Sequence, residues 1–427
     1  MNADTATLMQ RRAALLGPAY RLFYQYPKHF VRGEGVWLID SSGRRYLDAY
    51  NNVPAVGHCH PAVVAALHQQ ATTLNTHTRY LHDNVVNYAE KLLATFPPEL
   101  GHVMFTCTGS EANDLALRVA STVSQGRGII ITRNAYHGVT SALVDISPAL
   151  DNTTPTAPHV RMVDAPDSYR KTPQQAAADF TRDVQAAIHD LQQHGIAPSA
   201  LIVDTLFASD GLYSEPAGLL TGAVAAMRAA GGLFIADEVQ AGLARAGSHM
   251  WGFARHGVIP DLVTLGKPLG NGHPIAALIA RPALLAEFGA RTRYFNTFGG
   301  NPVSAAVGMA VLQVIEDEQL QQNALTTGAY LMDGLRSIAD DYPLIGDVRG
   351  AGLYAGLEIV SNPAEKTPDS GMAAQLVNQL AENGVLVGAS GSHGQVIKVR
   401  PPLPFKPADA DHFLEILRHT LQTLTSR

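Results

Sequence analysis

Buried strand-like segments alternate with helical segments through the middle of this chain, and this alternation limits the possible folds most. Apolar runs at 128–132, 200–207, 232–242 and 262–265 are typical of strands that are covered on both faces. Strands separated by helices predict a mostly parallel sheet, because parallel neighbours need a crossover connection. We therefore predict an α/β protein, and a length of 427 residues predicts two or three domains.

Composition and charge exclude several classes of partner. Charged residues make up 16% of the chain and the formal charge is -6, so we expect neither nucleic acid nor an anionic membrane as a partner. The two cysteines form no CxxC pair, and His58, Cys59 and His60 have no fourth ligand at a suitable spacing, so we predict no metal. The N-terminal segment has no apolar core of the signal-peptide type, and we expect a reducing cytoplasm.

Lys267 follows the apolar run at 262–265 and stands at the start of a glycine-rich loop, GKPLGNGHP. Ligands of open α/β sheets bind outside the carboxyl ends of the strands, so a lysine there is a candidate nucleophile for a Schiff base. The alternative is an ordinary exposed lysine. Lysine is scarce here, with seven among the 31 basic residues, which favours a specific role.

Three other features lie at predicted strand ends. Asp237 is a partly buried acid that needs a cation or donor, or else a helix N-cap. Gly109 and Ser110 form a tight turn into a helix, which suits a phosphate or is a simple cap. Tyr136 or His137 either stacks on a planar ring or is a turn aromatic. An amine, an acid, an aromatic and an anion cradle together match pyridoxal phosphate chemistry.

Four segments, TGSEAND, ADEVQAGLARAG, LGKPLGNGHP and NTFGGNP, together resemble the class III, ornithine-type aminotransferases of the fold type I pyridoxal phosphate enzymes. The resemblance extends from about residue 20 to residue 425. It implies a large domain at 56–315 with a mostly parallel seven-stranded sheet flanked by helices. A smaller α+β domain would be built from both termini, 1–55 and 316–427. It also implies a homodimer with shared active sites.

The resemblance implies pyridoxal 5′-phosphate as the cofactor and assigns roles to matching residues. Lys267 would be the Schiff-base lysine and Asp237 the partner of the pyridine nitrogen, and these two would be the catalytic residues. Gln240 would approach the ring hydroxyl, and Tyr136 would stack on the ring. Residues that would hold the phosphate are Gly109, Ser110 and, from the neighbouring subunit, Thr297.

Within the family, the chain is most similar to the ethanolamine-phosphate and phosphohydroxylysine phospho-lyases, through stretches such as NNVPAVGHCHP, TRYLHDN and GDVRGAGL. Three positions that differ from the pattern of the ornithine-type transaminases agree with a phospho-lyase. Lys398 occupies the position of a carboxylate-binding arginine before the C-terminal PPL, and Ser209 that of a gateway glutamate. Val139 occupies the position of a distal arginine.

The resemblance therefore implies a phospho-lyase that eliminates phosphate from O-phosphoethanolamine, giving acetaldehyde, ammonia and phosphate. A bulkier phosphorylated amine such as phosphohydroxylysine stays open as the substrate. The alternatives are an ω-aminotransferase that uses an amine and a keto acid, and a non-enzymatic cofactor-binding protein, which the presence of Lys267 disfavours. A phospho-lyase needs cations and donors for the substrate phosphate. The candidates, each of which could instead be exposed or structural, are Lys28, Asn52, Arg79, His82, Lys398 and Arg400.

Overall fold

The computed structural model describes residues 3–150 and 155–426, which form three β-sheets and the helices that pack on them. The strands in chain order are β1 (Phe30–Glu34), β2 (Trp37–Asp40), β3 (Arg45–Asp48), β4 (His102–Thr106), β5 (Gly128–Thr132), β6 (Val160–Val163), β7 (Pro198–Asp204), β8 (Leu233–Asp237), β9 (Leu262–Leu265), β10 (Ala276–Ala280), β11 (Ile345–Gly350), β12 (Ala355–Asn362), β13 (Thr367–Pro368), β14 (Val385–Leu386), β15 (Gly388–Ser390) and β16 (Val396–Val399). The α-helices are α1 (Ala3–Leu15), α2 (Pro61–Thr73), α3 (Asp83–Leu93), α4 (Gly109–Ser124), α5 (Ser141–Val144), α6 (Pro173–Gln193), α7 (Thr221–Ala229), α8 (Pro282–Arg291), α9 (Pro302–Asp317), α10 (Leu320–Asp341), α11 (Ser370–Glu382) and α12 (Pro407–Thr425).

The central sheet has seven strands in the order β4-β10-β9-β8-β7-β5-β6. Strands β9, β8, β7, β5 and β6 run parallel to one another, while β10 is antiparallel to both β4 and β9. The predicted mostly parallel seven-stranded sheet is therefore confirmed. Its parallel strands all end at one edge, where Asp237 pairs in register with Asp204 on one side and Thr264 on the other.

Both faces of the central sheet are covered by apolar side chains. Successive residues of β8 belong to different clusters, since Ile235 packs with the residues of α4 and α8, while Phe234 packs with α6 and α7 on the opposite face. Alternation of side chains along a strand produces this division. With both faces buried, polar chemistry is confined to the edge where the strands end.

The two smaller sheets join segments that are distant in the sequence. The C-terminal strand β14 pairs in parallel with β3, which places β1, β2 and β3 beside the last third of the chain. The sheet β11-β12-β16-β15 carries the segment before PPL. The predicted domain boundary at 315/316 lies inside α9, and both domain boundaries stay predictions.

The structure corrects two local predictions. The pattern at 31–49 predicts a single hairpin, but the segment forms three strands, because the chain also reverses at Gly35, which has a φ of +56°. The composition from about 150 to 175 predicts an exposed excursion. Residues 151–154 lie outside the described residues, but β6 pairs with β5 at the edge of the central sheet. No helix within the described ranges is both long enough and apolar enough to span a bilayer.

Candidate active site

Lys267 lies at the end of β9, where the chain turns into a short 3-10 helix, Lys267–Gly270. A β-carbon on the preceding Gly266 would lie 3.2 Å from the backbone of Gly109, so glycine allows the strand end to approach the start of α4. The Lys267 Nζ lies 5.6 Å from the ring centroid of Tyr136. Burial lowers the pKa of Lys267 against the opposing attraction of Asp237, which increases the fraction of nucleophilic neutral amine.

Asp237 ends the neighbouring strand β8 and is 4% exposed. Its Oδ2 lies 2.7 Å from His137 Nδ1 and accepts a hydrogen bond of 2.9 Å from Asn113 Nδ2, while Oδ1 accepts the backbone N–H of Val239 at 3.1 Å. Asn113 is held in turn by the Thr264 hydroxyl, which donates to its Oδ1 at 2.6 Å. These contacts fix the position of the Asp237 side chain at the edge of the sheet.

The first turn of α4 faces the same cavity. The Thr108 hydroxyl accepts the N–H of Glu111, and the Glu111 carboxylate accepts the N–H groups of Cys107 and Thr108. This capping box leaves the N–H groups of Gly109 and Ser110 without a partner in residues 3–150 and 155–426. Two free N–H groups at the positive end of a helix form an anion site.

Gln240 closes another side of the cavity. Its side-chain oxygen accepts hydrogen bonds from Arg400 Nη1 and, at 3.4 Å, from the Tyr354 hydroxyl. Its backbone carbonyl accepts the Asn52 amide at 3.2 Å. Arg400 and Asn52, both proposed from the sequence as phosphate ligands, are therefore engaged with Gln240.

These groups surround one cavity of about 170 Å³. The residues that line it are Gly109, Ser110, Asn113, Tyr136, His137, Gly138, Asp204, Asp237, Val239, Gln240 and Lys267. Six of the seven cofactor residues predicted from the sequence line this cavity, and Thr297 does not. The donors and acceptors fit pyridoxal phosphate, with an amine for its aldehyde, a carboxylate for its ring nitrogen and free N–H groups for its phosphate. The individual roles stay predictions.

Thr297 lies on an exposed segment outside the cavity. Its neighbours Phe295 and Asn296 line an open groove together with Arg79, whose guanidinium lies 3.8 Å from the Phe295 ring centroid. Residues on this surface are free to reach another subunit, which is the role that the resemblance gives to Thr297.

The other predicted substrate residues are mostly engaged elsewhere. Lys28 pairs with Glu382 at 2.5 Å in a separate cavity of about 400 Å³. His82 accepts the N–H of Asn84 at 3.2 Å as the N-cap of α3, which is the structural alternative for this residue. The structure does not bring Lys28, Arg79 or His82 to the cavity of this chain.

Lys398 differs from these residues. It lies on β16 between Gly356 and Gly388, and its ammonium forms no hydrogen bond or ion pair within the described parts of the chain. Burial and the positive charge of Arg400 lower the pKa of Lys398 to about 7, and Asp204 and Lys267 are near enough to act on it too. Lys398 is thus a partly buried cation near the cavity that Asp204 attracts but that has no ion-pair partner within residues 3–150 and 155–426.

Three residues around Asp237 have contacts that the sequence did not predict. Asn113 and His137 hold its carboxylate, and the His137 Nε2 is buried without a hydrogen-bond partner among the described residues. Asp204 lines the cavity, and burial and the charge of Asp237 raise the pKa of Asp204 to about 6. Their positions in the sequence could have indicated two of these residues, because Asn113 lies one helical turn after Gly109 and His137 directly follows Tyr136.

The fold and the cavity define a pyridoxal phosphate-dependent enzyme of fold type I. A sheet of this topology carries the lysine and the acid on adjacent strand ends, with a helix N-terminus opposite. Its cofactor is pyridoxal 5′-phosphate.

The chain belongs to the class-III aminotransferase family, whose model matches residues 24–421. A Drosophila melanogaster protein named alanine–glyoxylate aminotransferase 2-like is 40% identical over 95% of this chain and 85% of its own length. Ethanolamine-phosphate phospho-lyase homolog 1 of Caenorhabditis elegans is 32% identical over 98% of this chain and 93% of its own. The structure of an Arthrobacter phospholyase in complex with phosphoethanolamine is 43% identical, with a TM-score of 0.95, and the match covers 97% of this chain and 99% of that one.

Proposed function

We propose that this enzyme is a phospho-lyase that removes phosphate from O-phosphoethanolamine, with acetaldehyde, ammonia and inorganic phosphate as products. One observation carries the proposal, namely the partly buried ammonium of Lys398, which forms no hydrogen bond or ion pair among the described residues and lies near enough to Lys267 for the two charges to interact. A phosphate dianion supplies the negative charge that this position lacks. The likeness to a phospholyase solved with phosphoethanolamine supports the same substrate class.

Two of the three positions where ornithine-type transaminases carry charged groups, those of Ser209 and Val139, are uncharged here. Ser209 offers its backbone carbonyl to Asn134 and to the N–H of Gly391, and it places no carboxylate near Lys398. Val139 is 63% exposed, and its N–H donates to the Ser110 hydroxyl at 3.2 Å. Neither position therefore supplies a carboxylate to Lys398, and an anionic substrate group would add to the attraction that Asp204 exerts on its ammonium.

Residues of this chain provide the acid–base chemistry. When bound, pyridoxal phosphate supplies an electron sink for the carbon next to the substrate nitrogen. Lys267 removes the proton from that carbon, and its lowered pKa provides the neutral amine that this step needs. Lys398 holds the phosphate on the adjacent carbon and stabilises it as it leaves with the electrons of the C–O bond. Water then hydrolyses the enamine to acetaldehyde and ammonia.

The alternative is an ω-aminotransferase, which the 40% identity to the alanine–glyoxylate aminotransferase 2-like protein favours. Both activities would use the same cofactor residues. They differ in whether a keto acid is required, because a transaminase must regenerate its cofactor while a lyase returns it unchanged.

The experiment that distinguishes them is phosphate and acetaldehyde release from O-phosphoethanolamine by the cofactor-loaded protein without a keto acid. We expect release in equal amounts over many turnovers, and Lys267→Ala should abolish it because the base is lost. Release that begins only after pyruvate or 2-oxoglutarate is added would contradict the lyase and support the transaminase. An active Lys267→Ala protein would contradict the role of that lysine.

We further propose a homodimer in which Thr297 completes the cofactor phosphate site of the partner subunit. Exposed apolar residues on the surface around Thr297 support this proposal, since a water-facing patch of this kind is typical of an interface. The most exposed of them are Leu81 at 101%, Phe298 at 71% and Tyr80 at 65%.

A further inference from the structure

The orientation of the Gln240 amide is set by its neighbours. A guanidinium group donates hydrogen bonds and accepts none, so the Gln240 atom that faces Arg400 Nη1 must be the oxygen Oε1. The Tyr354 hydroxyl at 3.4 Å faces the same oxygen. The amide nitrogen, Nε2, therefore faces away from Arg400, and Gln240 is one of the residues that line the cavity.

Arg400 is itself fixed by other contacts. Its Nε and Nη2 both donate to the carbonyl oxygen of Tyr50, at 3.2 and 3.1 Å, and its guanidinium lies 5.6 Å from the Tyr50 ring centroid and 5.5 Å from that of Tyr354. Arg400 is 5% exposed. Most of its donors are thus occupied within the protein, which leaves little capacity for a substrate phosphate.

A second buried arginine holds the backbone of Gln240. Arg245 is 1% exposed and donates from Nε to Asn52 Oδ1 at 3.1 Å, while the Asn52 amide donates to the Gln240 carbonyl at 3.2 Å. Arg245 also donates from Nη1 to the carbonyl oxygens of Leu353 and Pro401. Side chain and backbone of Gln240 are therefore held independently, the side chain by Arg400 and the backbone through Asn52.

We propose that Arg400 is a positioning residue, which locks the Gln240 amide so that it presents N–H donors to the cofactor cavity. Gln240 then acts on the ring hydroxyl of the cofactor as a hydrogen-bond donor. A donor stabilises the deprotonated oxygen more than the protonated one, so it lowers the pKa of that hydroxyl. The proposal concerns the cofactor and holds for a lyase and for a transaminase alike.

The test is a pH titration of the visible absorption of the bound cofactor in Arg400→Met, Gln240→Ala and the double variant. Losing one hydrogen bond to a charged oxygen should raise the apparent pKa of that absorption change by about one unit in each single variant. Since Arg400 acts through Gln240, the effect of Arg400→Met should fall to less than half when Gln240 is already alanine. Arg400→Lys, which keeps a donor and the charge, should restore most of the shift.

Lys398→Met is the matched control, because it removes a nearby cation that forms no hydrogen bond with Gln240 in the described ranges. Its effect on the absorption pKa should be the same with and without Gln240. An Arg400→Met shift that is undiminished in the Gln240→Ala protein would overturn the proposal, as would the absence of any shift in Arg400→Met.

Thermal unfolding of the cofactor-free protein shows whether Arg400→Met folds. If it does not fold, the absorption pKa of the Gln240→Glu variant tests the proposal instead. A carboxylate offers Arg400 the same oxygen but has no N–H to donate, so the absorption pKa should rise and the cofactor should bind more weakly. An unchanged absorption pKa in a folded Gln240→Glu protein would show that no N–H of Gln240 is used. Phosphate release plays no part in this readout, so the result is independent of the proposed reaction.

Discussion

Several ionisable side chains around the cofactor cavity have pKa values that burial moves towards neutrality. Burial raises the pKa of Asp210 to about 7 and, with the charge of Asp237, that of Asp204 to about 6. Burial and Arg400 lower the pKa of Lys398 to about 7. Groups with such pKa values change charge near physiological pH, and they concentrate at functional sites. The anion affinity of this site should therefore depend on pH in a way that identifies the responsible residue.

We expect the cofactor-loaded site to bind anions more weakly above neutral pH, because the ammonium of Lys398 loses its charge there. Its folded pKa of about 7 lies below that of a free lysine, so the charged form is lost as the pH rises through 7. If binding requires the ammonium, the affinity for sulfate should fall about fivefold between pH 7 and pH 8. Sulfate is a suitable probe because its own charge is constant over this range. Isothermal titration calorimetry of the cofactor-loaded protein measures this dependence.

Lys398→Arg is the matched variant, because arginine keeps its charge throughout this range. We expect its sulfate affinity to be nearly flat with pH. The same fivefold fall in Lys398→Arg would assign the titration to another group and would contradict the role of Lys398.

At the level of elements, local sequence patterns predicted the buried strand β5 and helix α4 better than they predicted the edge strand β6. Strand β5 lies where its apolar run predicted, and α4 begins at Gly109 as the glycine–serine turn indicated. Strand β6 was missed because Val160–Val163 is short and lies in a segment rich in proline, aspartate and threonine. Such an edge strand is formed by pairing with β5, which is a tertiary effect that its own residues do not encode.

Gly138 joins β5 to the cofactor site, and its replacement should weaken cofactor binding. It has a φ of +146°, and a β-carbon would lie 2.5 Å from Leu143 Cδ1 and 2.6 Å from the Ser110 hydroxyl oxygen. Gly138→Ala should therefore displace Ser110, with a cost of about 1–3 kcal/mol for the strained backbone. We expect the Kd for pyridoxal phosphate to rise at least about tenfold, measured by fluorescence titration of the cofactor-free protein.

Gly195→Ala is the control, because it introduces backbone strain at a positive φ without displacing Ser110. Gly195 also has a positive φ, +69°, but a β-carbon there would meet no atom within 4 Å, and this glycine does not line the cavity. This variant should lose about 1–2 kcal/mol of unfolding free energy and keep its cofactor affinity. Equal cofactor affinities in Gly138→Ala and the wild type would refute the assignment of the cradle to Ser110.

At the level of the whole molecule, the sequence identified the cofactor side of the site more fully than the substrate side. Lys267, Asp237 and Gln240 lie at or just after the ends of strands that must meet at one edge of the sheet, so their convergence follows from the topology. Lys28 and Arg400 lie on segments whose partners come from elsewhere in the chain, namely Glu382 and Gln240. No local pattern predicts such partners, because they depend on how the smaller sheets pack against the central one.

Shared active sites predict that two inactive variants will complement each other. Lys267→Ala removes the base of its own subunit, and Thr297→Asp should repel the cofactor phosphate in the partner subunit by like charge. In a mixed dimer, both defects fall on one site, and the other site has an intact lysine and an intact threonine. Random pairing makes half of the dimers mixed, so about a quarter of all sites should recover.

Phosphate release by the two variants, mixed after dissociation and reassociation, measures this recovery. Sedimentation of each variant alone is the control, because loss of the dimer would itself prevent complementation. If Thr297 instead served the site of its own subunit, each site of a mixed dimer would carry one defect and no activity would return. Recovery to about a quarter of the wild-type rate therefore requires that Thr297 reaches across the interface, which the exposed position of this residue permits.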